Sequence, residues 1–294
     1  HCPRFKGWID QWKRQRNYKE YWLNFFLNIF KFLPPEFAHS ISLNSLNLLH
    51  KLKLLSLFKI KKDDEVEFNL CGMNFKNKLG TAAGLDKNGD YIDALGELGF
   101  GFLEVGTVTP LPQNGNSKPR VFRNYQDNAI INRLGFNNKG IDYLLKNLKK
   151  RKYKGVVGVN IGANKTSKDE QRINDYLVCF EKIHKYADYI TINISSPNTP
   201  DLRNLHSKEN LKNLIRSVEI KSTEINFKKP IFLKISPDES DESIEMIIDL
   251  VQNSSFTGLV ATNTTVNKFN ITNEKLKGED LSLIHIWRCR RPYL

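Results

Sequence analysis

Several features that identify other protein classes are missing from these 294 residues. Four cysteines lie far apart without a CxxC or Cys/His pattern, so we expect no metal site and reduced thiols of a cytosolic compartment. No apolar run approaches the roughly 18 residues of a spanning helix. The start has neither an initiating Met nor the apolar core of a signal peptide. The cysteines are Cys2, Cys71, Cys179 and Cys289.

The charge of the chain is unevenly distributed. The formal net charge is +13, yet residues 1–62 carry 12 Lys/Arg against 3 Asp/Glu, and the last 14 residues add three Arg without an acid. Residues 63–280 are nearly neutral, with 30 basic and 29 acidic side chains. This body lacks the basic stripe that nucleic-acid binding needs, so we expect no nucleic-acid partner.

Two apolar, Lys-flanked segments, 18–33 and 40–60, are candidate helices near the N-terminus. Pro34 and Pro35 separate them, since proline lacks the N–H and clashes with the preceding helical turn. Such a helical pair either buries itself against a domain or lies in a membrane surface with lysines toward anionic headgroups. Neither segment contains the roughly 18 uninterrupted apolar residues that a helix needs to span a bilayer.

From about residue 66, short β-branched runs alternate with amphipathic stretches, which predicts parallel strands with crossover helices. A doubly wound sheet competes, but no GxGxxG opens a helix after the first strand. We therefore predict an α/β TIM (β/α)₈ barrel, incomplete, with about six of its eight units. The predicted strands are 78–82, 102–106, 156–161, 189–195, 231–235 and 258–262. The predicted helices lie near 88–98, 138–149, 169–186, 207–225 and 240–253.

In such barrels the active site lies at the carboxyl ends of the strands. The sequence there is rich in Asn, Thr, Ser and Lys, which suits a planar ligand with many hydrogen-bonding groups, because Asn offers both donors and an acceptor. It shows neither the carboxylate pair nor the Ser-His-Asp set of a hydrolase. The stretches are AAGLDKNG (82–89), GTVTP (106–110), NRLGFNNKG (132–140), NIGANK (160–165), NISSPNTPDLR (193–203), KISPD (234–238) and ATNTT (261–265).

In this order and spacing, these strings resemble the dihydroorotate dehydrogenases over roughly residues 34–280. PPEFAHS (34–40) resembles the signature of the quinone-dependent class, inside its N-terminal helical pair. The resemblance implies a TIM barrel with FMN that oxidises dihydroorotate to orotate in pyrimidine (UMP) biosynthesis. It also implies electron transfer to a membrane quinone, and peripheral association with the cytoplasmic side of a bacterial inner membrane.

The resemblance assigns roles to individual residues. Ser196 matches the catalytic base, whereas we interpret Ser195 as a turn serine bonded to its own backbone. The implied substrate-binding residues are Lys87, Asn132, Arg133, Leu134, Gly135, Phe136, Asn193, Asn198, Asn263 and Thr264. The implied flavin-binding residues are Ala83, Gly84, Leu85, Asp86, Lys87, Thr107, Asn160, Asn193, Lys234 and Thr262.

The family pattern stops after Gly278. The following LSLIHIWRCRRPYL back-translates to a string that resembles a transposase adapter, with a basic amphipathic tail as the alternative. We therefore divide the chain into an uncertain leader (1–17), a helical membrane and quinone-access segment (18–62), a truncated FMN barrel (63–280) and a tail (281–294). We expect the chain as written to hold no stoichiometric FMN and to be inactive.

Two other functions fit the same sequence. One is a membrane-surface binding protein without catalysis, which would use residues 18–60 and would show no flavin spectrum. The other is a different FMN barrel, such as a dihydropyrimidine or dihydrouridine reductase. Ser196 within NISSPN and the N-terminal helices argue against it.

Overall fold

The computed structural model describes residues 30, 32–55, 67–127, 129–196, 207–267 and 272, and the backbone of 282–285. The chain divides into two compact units, residues 1–45 and 46–294. Among the residues described, no helix has the length and apolarity needed to cross a membrane. The division of the chain into four domains stays a prediction.

The N-terminal helix differs from its predicted position. Helix α1 spans Pro35–Lys51, whereas the sequence predicted a helix over 40–60. Proline is tolerated in the first turn of a helix, where its missing N–H has no partner to lose, so Pro35 opens α1. The chain turns left-handed at Lys53 (φ 59°), which ends the helical path. Most of the predicted helix 18–33, and residues 56–60, lie outside the described residues.

The core of the larger unit is a six-stranded sheet whose strand pairs are all parallel. The sheet confirms the predicted alternation of strands and helices, and it accounts for about six units of a TIM barrel. Its strands, in spatial order, are β10 (Gly258–Val260), β9 (Ile231–Lys234), β8 (Tyr189–Asn193), β7 (Val156–Ile161), β4 (Phe102–Val108) and β3 (Gly80–Thr81).

Within the described ranges, five helices connect or follow these strands and bury apolar side chains at helical spacing. In α5, for example, Leu211, Leu214 and Val218 lie on one buried face. Ser240 caps the N-terminus of helix α6, since its side chain accepts a hydrogen bond from the Ser243 amide at 3.2 Å. The helices are α2 (Ile92–Glu97), α3 (Ile141–Lys150), α4 (Asp169–Ile183), α5 (Lys208–Glu224) and α6 (Asp241–Gln252).

A hairpin that the sequence did not predict packs against the amino ends of the strands. Its strands β1 (Phe68–Leu70) and β2 (Met73–Phe75) are joined by Cys71 and Gly72, which both have positive φ. Phe75 is buried in one cluster with Val156 and Tyr189, the first residues of β7 and β8. An apolar cluster at this end leaves the carboxyl ends of the strands for polar chemistry.

A second unpredicted hairpin, β5 (Val121–Asn124) and β6 (Ala129–Asn132), interrupts the chain between β4 and α3. The NRLGFNNKG stretch was predicted to follow a barrel strand, and this is wrong, because Asn132 ends an antiparallel strand outside the parallel sheet. Backbone bonds of 3.0 Å join Gln113 and Asn138 in both directions and close the base of this excursion. Strand β11 (Ser282–His285), from the stretch assigned to the tail, pairs with β6.

Candidate active site

Three predicted site residues meet at the carboxyl ends of β4, β7 and β8. Thr107 Oγ1 donates to Asn160 Oδ1 at 2.6 Å. Asn193 Nδ2 donates to Thr107 Oγ1 at 2.9 Å and to Asn160 Oδ1 at 3.1 Å. All three side chains are buried, and parallel strands bring them together because their carboxyl ends lie at one edge of the sheet.

The cluster continues to Ser195 and to Asn263, beyond the end of β10. Asn263 Nδ2 donates to Ser195 Oγ at 3.1 Å and approaches Asn193 Oδ1 at 3.4 Å. The interpretation of Ser195 as a turn serine bonded to its own backbone is wrong, because its amide and hydroxyl both donate to Asn193 Oδ1 at 3.2 Å. We call Thr107, Asn160, Asn193, Ser195 and Asn263 the amide network.

A buried carboxylate that the sequence analysis missed lies next to the amide network. Glu104 Oε1 accepts from Asn160 Nδ2 at 2.9 Å. Its Oε2 accepts from the hydroxyls of Tyr189 and Thr191, both at 3.0 Å. The sequence contains a signal for this residue, because Glu104 is the acidic residue in the apolar run FLEVGTV. A charge buried in a central strand needs hydrogen-bonding or charged partners.

Lys234 ends β9 and has only 8% of its surface exposed. Within the described part of the chain its ammonium group has no hydrogen bond or ion pair. Burial lowers the pKa of Lys234, and the negative charge of Glu104 opposes that shift. A buried ammonium group of this kind favours an anionic or carbonyl oxygen as a ligand.

The loop after β3 holds the predicted Gly84, Asp86 and Lys87. Gly84 has φ of +108°, its amide donates to the Gly106 carbonyl at 2.7 Å, and the space that a Cβ would occupy has no neighbour within 4 Å. Lys87 Nζ donates to the Gly84 carbonyl at 2.9 Å. Half-buried Ala83 and Leu85 flank the glycine. The backbone at Gly84 is therefore accessible to a ligand, next to the positive charge of Lys87.

Asp86 holds this loop together from inside. Its two carboxylate oxygens accept from the amides of Asp90 at 2.9 Å and Tyr91 at 2.8 Å. Burial raises the pKa of Asp86 to about 6, although these amides pull it down. The Asp86 side chain therefore stabilises the loop, and its backbone carbonyl accepts a hydrogen bond from the Gly106 amide at 3.1 Å.

The loop after β6 reaches the amide network through Phe136. A Cβ built on Gly162 would lie 2.8 Å from Thr107 Cγ2 and 2.9 Å from Phe136 Cε2, so both side chains pack over this glycine. Gly135 and Phe136 have positive φ, 66° and 51°, which turns the loop. Arg133 Nη2 donates to the Pro119 carbonyl at 3.0 Å.

The remaining predicted residues lie around this centre. The Leu134 amide donates to Asn132 Oδ1 at 3.4 Å. The Thr264 amide donates to Asn263 Oδ1 at 2.8 Å, and exposed Thr262 bonds the Asn263 carbonyl at 3.0 Å. Ser196 is 4% exposed and directly follows Ser195 of the amide network. Asn198 lies outside the described residues.

Comparison with known proteins identifies relatives along most of the chain. The profile of the family described as dihydroorotate dehydrogenase matches residues 65–281. A dihydroorotate dehydrogenase (quinone) from Saccharophagus degradans is 47% identical over 241 residues, which are 80% of this chain and 70% of the relative. One from Buchnera aphidicola subsp. Schizaphis graminum is 49% identical over 252 residues, 84% of this chain and 75% of the relative.

Solved structures agree with the sequence relatives. DHODH from Eimeria tenella in complex with ferulenol superposes with a TM-score of 0.73 at 33% identity, covering 85% of this chain and 72% of that one. The ligand-free type of the same protein gives a TM-score of 0.74 at 33% identity, covering 85% and 74%. The chain therefore belongs to the dihydroorotate dehydrogenase family, in its quinone-dependent class.

Proposed function

We propose that the enzyme to which this sequence belongs oxidises dihydroorotate to orotate in UMP biosynthesis, with FMN as the hydride acceptor and a membrane quinone as the electron acceptor. The quinone-dependent relatives support this reaction. The observation that carries it is the amide network, a buried set of neutral donors and acceptors that leads to Ser195 and Asn263 beside Ser196.

The substrate is a flat ring with amide groups and one carboxylate. Asparagine matches such a ring because each side chain supplies two N–H donors and one carbonyl acceptor. Lys87 contributes a positive charge toward the carboxylate, and Phe136 covers the ring next to Thr107. The proposed substrate-binding residues are Lys87, Asn132, Arg133, Leu134, Gly135, Phe136, Asn193, Asn198, Asn263 and Thr264.

Ser196 is the proposed base that removes the proton from C5 of dihydroorotate. A serine hydroxyl is a weak base at its free pKa, so the proton must leave Ser196 Oγ as it arrives. Burial of Ser196 keeps bulk water from competing for its hydroxyl. The neighbouring Ser195 is held by Asn193 and Asn263, which fixes the backbone on which Ser196 is carried.

The residues at the strand ends fit a flavin. The open space at Gly84 allows a flat ring to approach the backbone, and the buried ammonium of Lys234 suits the oxygen and nitrogen edge of such a ring. FMN, when bound, supplies the acceptor for the hydride from C6 of the substrate. The proposed FMN-binding residues are Ala83, Gly84, Leu85, Asp86, Lys87, Thr107, Asn160, Asn193, Lys234 and Thr262.

The N-terminal segment is the proposed quinone-access and membrane-binding region. Its sequence combines apolar side chains with lysines, and Phe37 and Leu48 of α1 are exposed by more than half, as is Leu52 directly after the helix. Exposed apolar groups on a basic segment suit binding to an anionic membrane surface. We place the protein peripherally on the cytoplasmic side of a bacterial inner membrane.

A spectroscopic titration tests the function. The protein, extended at its C-terminus by the last two barrel units of a relative and loaded with FMN, is mixed with dihydroorotate without oxygen. The flavin absorbance near 450 nm, a wavelength set by the cofactor itself, is then followed. Dihydroorotate should bleach it, and a quinone should restore it. Dihydrouracil serves as the matched control, since it lacks only the carboxylate. Bleaching by dihydrouracil but not by dihydroorotate would contradict the proposal.

A further inference from the structure

Glu104 is the one acidic residue of β4, and its side chain spans the neighbouring strand. It pairs in register with Gly158 of β7, which in turn pairs with Tyr189 of β8. The hydroxyl of Tyr189 nevertheless reaches Glu104 Oε2, because Gly158 has no side chain. With Asn160 and Thr191 as further donors, the carboxylate accepts three hydrogen bonds while only 7% of the residue is exposed. An ionised carboxylate is the species that three donors satisfy.

These bonds decide which way the neighbouring amides point. Asn160 Nδ2 donates to Glu104, so Asn160 Oδ1 faces Thr107 and Asn193. Thr107 then donates to Asn160 and accepts from Asn193 Nδ2. The Oδ1 of Asn193 is left for Ser195. The acceptor at Glu104 thus orders donors and acceptors along the whole amide network.

The charge of Glu104 acts on a second residue without touching it. Lys234 is buried at the end of β9, and Glu104 is the charged group that opposes the loss of its proton. Two opposite charges in a buried region interact more strongly than they would in water. No carboxylate among the described residues bonds this ammonium group directly, so it remains available to a ligand.

We infer that Glu104 is a positioning residue of this site, which sets the direction of the amide network. This role deepens the proposed function and rests on it only where substrate kinetics are concerned. Glu104 itself lies behind Asn160 and acts through Asn160.

Two substitutions separate the position of the acceptor from the charge of the carboxylate. Glu104→Gln removes the charge and keeps an oxygen for Asn160. Glu104→Asp keeps the charge and draws the carboxylate back by one methylene. Tyr189→Phe and Thr191→Val are matched controls, since each removes one bond to Oε2 and leaves both the charge and the bond to Asn160.

The first readout is the hydrogen exchange of the Asn160 and Asn193 side-chain amides in the flavin-free protein, measured by NMR with isotope-labelled asparagine. Glu104→Asp should speed this exchange several-fold, because the shortened carboxylate no longer reaches Asn160 Nδ2. Glu104→Gln and both controls should stay close to the wild type, since each keeps an acceptor for Asn160. This readout needs no turnover, so it tests Glu104 even if dihydroorotate is not the substrate.

The second readout is flavin reduction by dihydroorotate in stopped flow. Glu104→Asp should raise KM and slow reduction about 10-fold or more, because small misplacements of binding groups are costly. The controls should lose thermal stability without this kinetic change. Unchanged amide exchange or unchanged kinetics in Glu104→Asp overturns the inference. A wild-type flavin that dihydroorotate does not reduce would instead contradict the proposed function.

Discussion

Tyr189 and Glu104 form a hydrogen bond of 3.0 Å across the full width of an intervening strand. The Tyr189 ring passes over Gly158, where a Cβ would lie 2.0 Å from the ring carbon Cζ. A side chain at position 158 and this bond are therefore mutually exclusive.

Gly158→Ala should lower the free energy of unfolding by about 1–3 kcal/mol, the usual cost of overpacking a core. The new methyl group displaces the Tyr189 ring and leaves Glu104 with one donor fewer. Gly258→Ala is the matched control in the same sheet, since its Cβ would meet only Phe232 at 3.8 Å. Urea denaturation measures both. Equal losses in the two variants would show that the ring has room to move.

In the protein extended by the last two barrel units of a relative, Ser196→Ala should leave FMN bound and slow its reduction by dihydroorotate at least about 100-fold, the scale expected for a lost base. Ser195→Ala is the comparison, since that hydroxyl contacts Asn193 and Asn263. It should act mainly on KM. Stopped-flow absorbance separates the two effects. Near-normal reduction in Ser196→Ala would remove this serine from the mechanism.

Deleting residues 18–60 should abolish quinone reduction and binding to anionic vesicles, while dihydroorotate still bleaches the flavin. The segment combines exposed apolar residues with lysines, which suits an anionic surface. Sedimentation with phosphatidylglycerol vesicles measures binding, and phosphatidylcholine vesicles provide the neutral control. Quinone reduction at full rate by the shortened protein would place the quinone site elsewhere.

The contribution of Asp86 to the free energy of unfolding should fall as the pH rises from about 4 to about 6. Its folded pKa is about 6 against an ordinary 3.8, so the folded state holds the proton over this window and the unfolded state does not. By linkage, the free energy of unfolding falls with rising pH there, by up to about 3 kcal/mol.

Urea denaturation of the wild type and of Asp86→Asn at several pH values tests this. The amide loses one backbone acceptor and lowers stability at every pH, but it cannot titrate. The difference between the two proteins should therefore shrink as pH rises through the window. Parallel curves would mean that Asp86 titrates at its ordinary pKa.

The sequence was sufficient to predict the strands and helices of the barrel. β7 was predicted with its observed bounds, because a fully buried parallel strand is a continuous β-branched run between turn residues. The β5–β6 hairpin was missed because Arg123, Asn124 and Asn132 interrupt its apolar alternation. The predicted extent of α1 was wrong because the apolar periodicity of the sequence continues past the left-handed turn at Lys53.

The sequence predicted the members of the site better than their connections. Thr107, Asn160, Asn193 and Asn263 were predicted separately, and the structure joins them by hydrogen bonds. Glu104 was not predicted because its role depends on Gly158 in the neighbouring strand and on Tyr189 two strands away. The pairing of strands that are distant in the chain is not visible in a single sequence. Local turn chemistry led to the wrong interpretation of Ser195.

The closed base of the excursion between β4 and α3 makes that segment an exchangeable module. Gln113 and Asn138 are bonded in both directions, and Asn138 Nδ2 also donates to Thr109 Oγ1 at 2.8 Å. The chain leaves and rejoins the barrel at one place, so the entropy of closing the segment rises only slowly with its length. The β5–β6 hairpin beyond this base can therefore be lengthened, shortened or grafted from a relative, provided that the Arg133–Phe136 turn keeps Phe136 packed over Gly162.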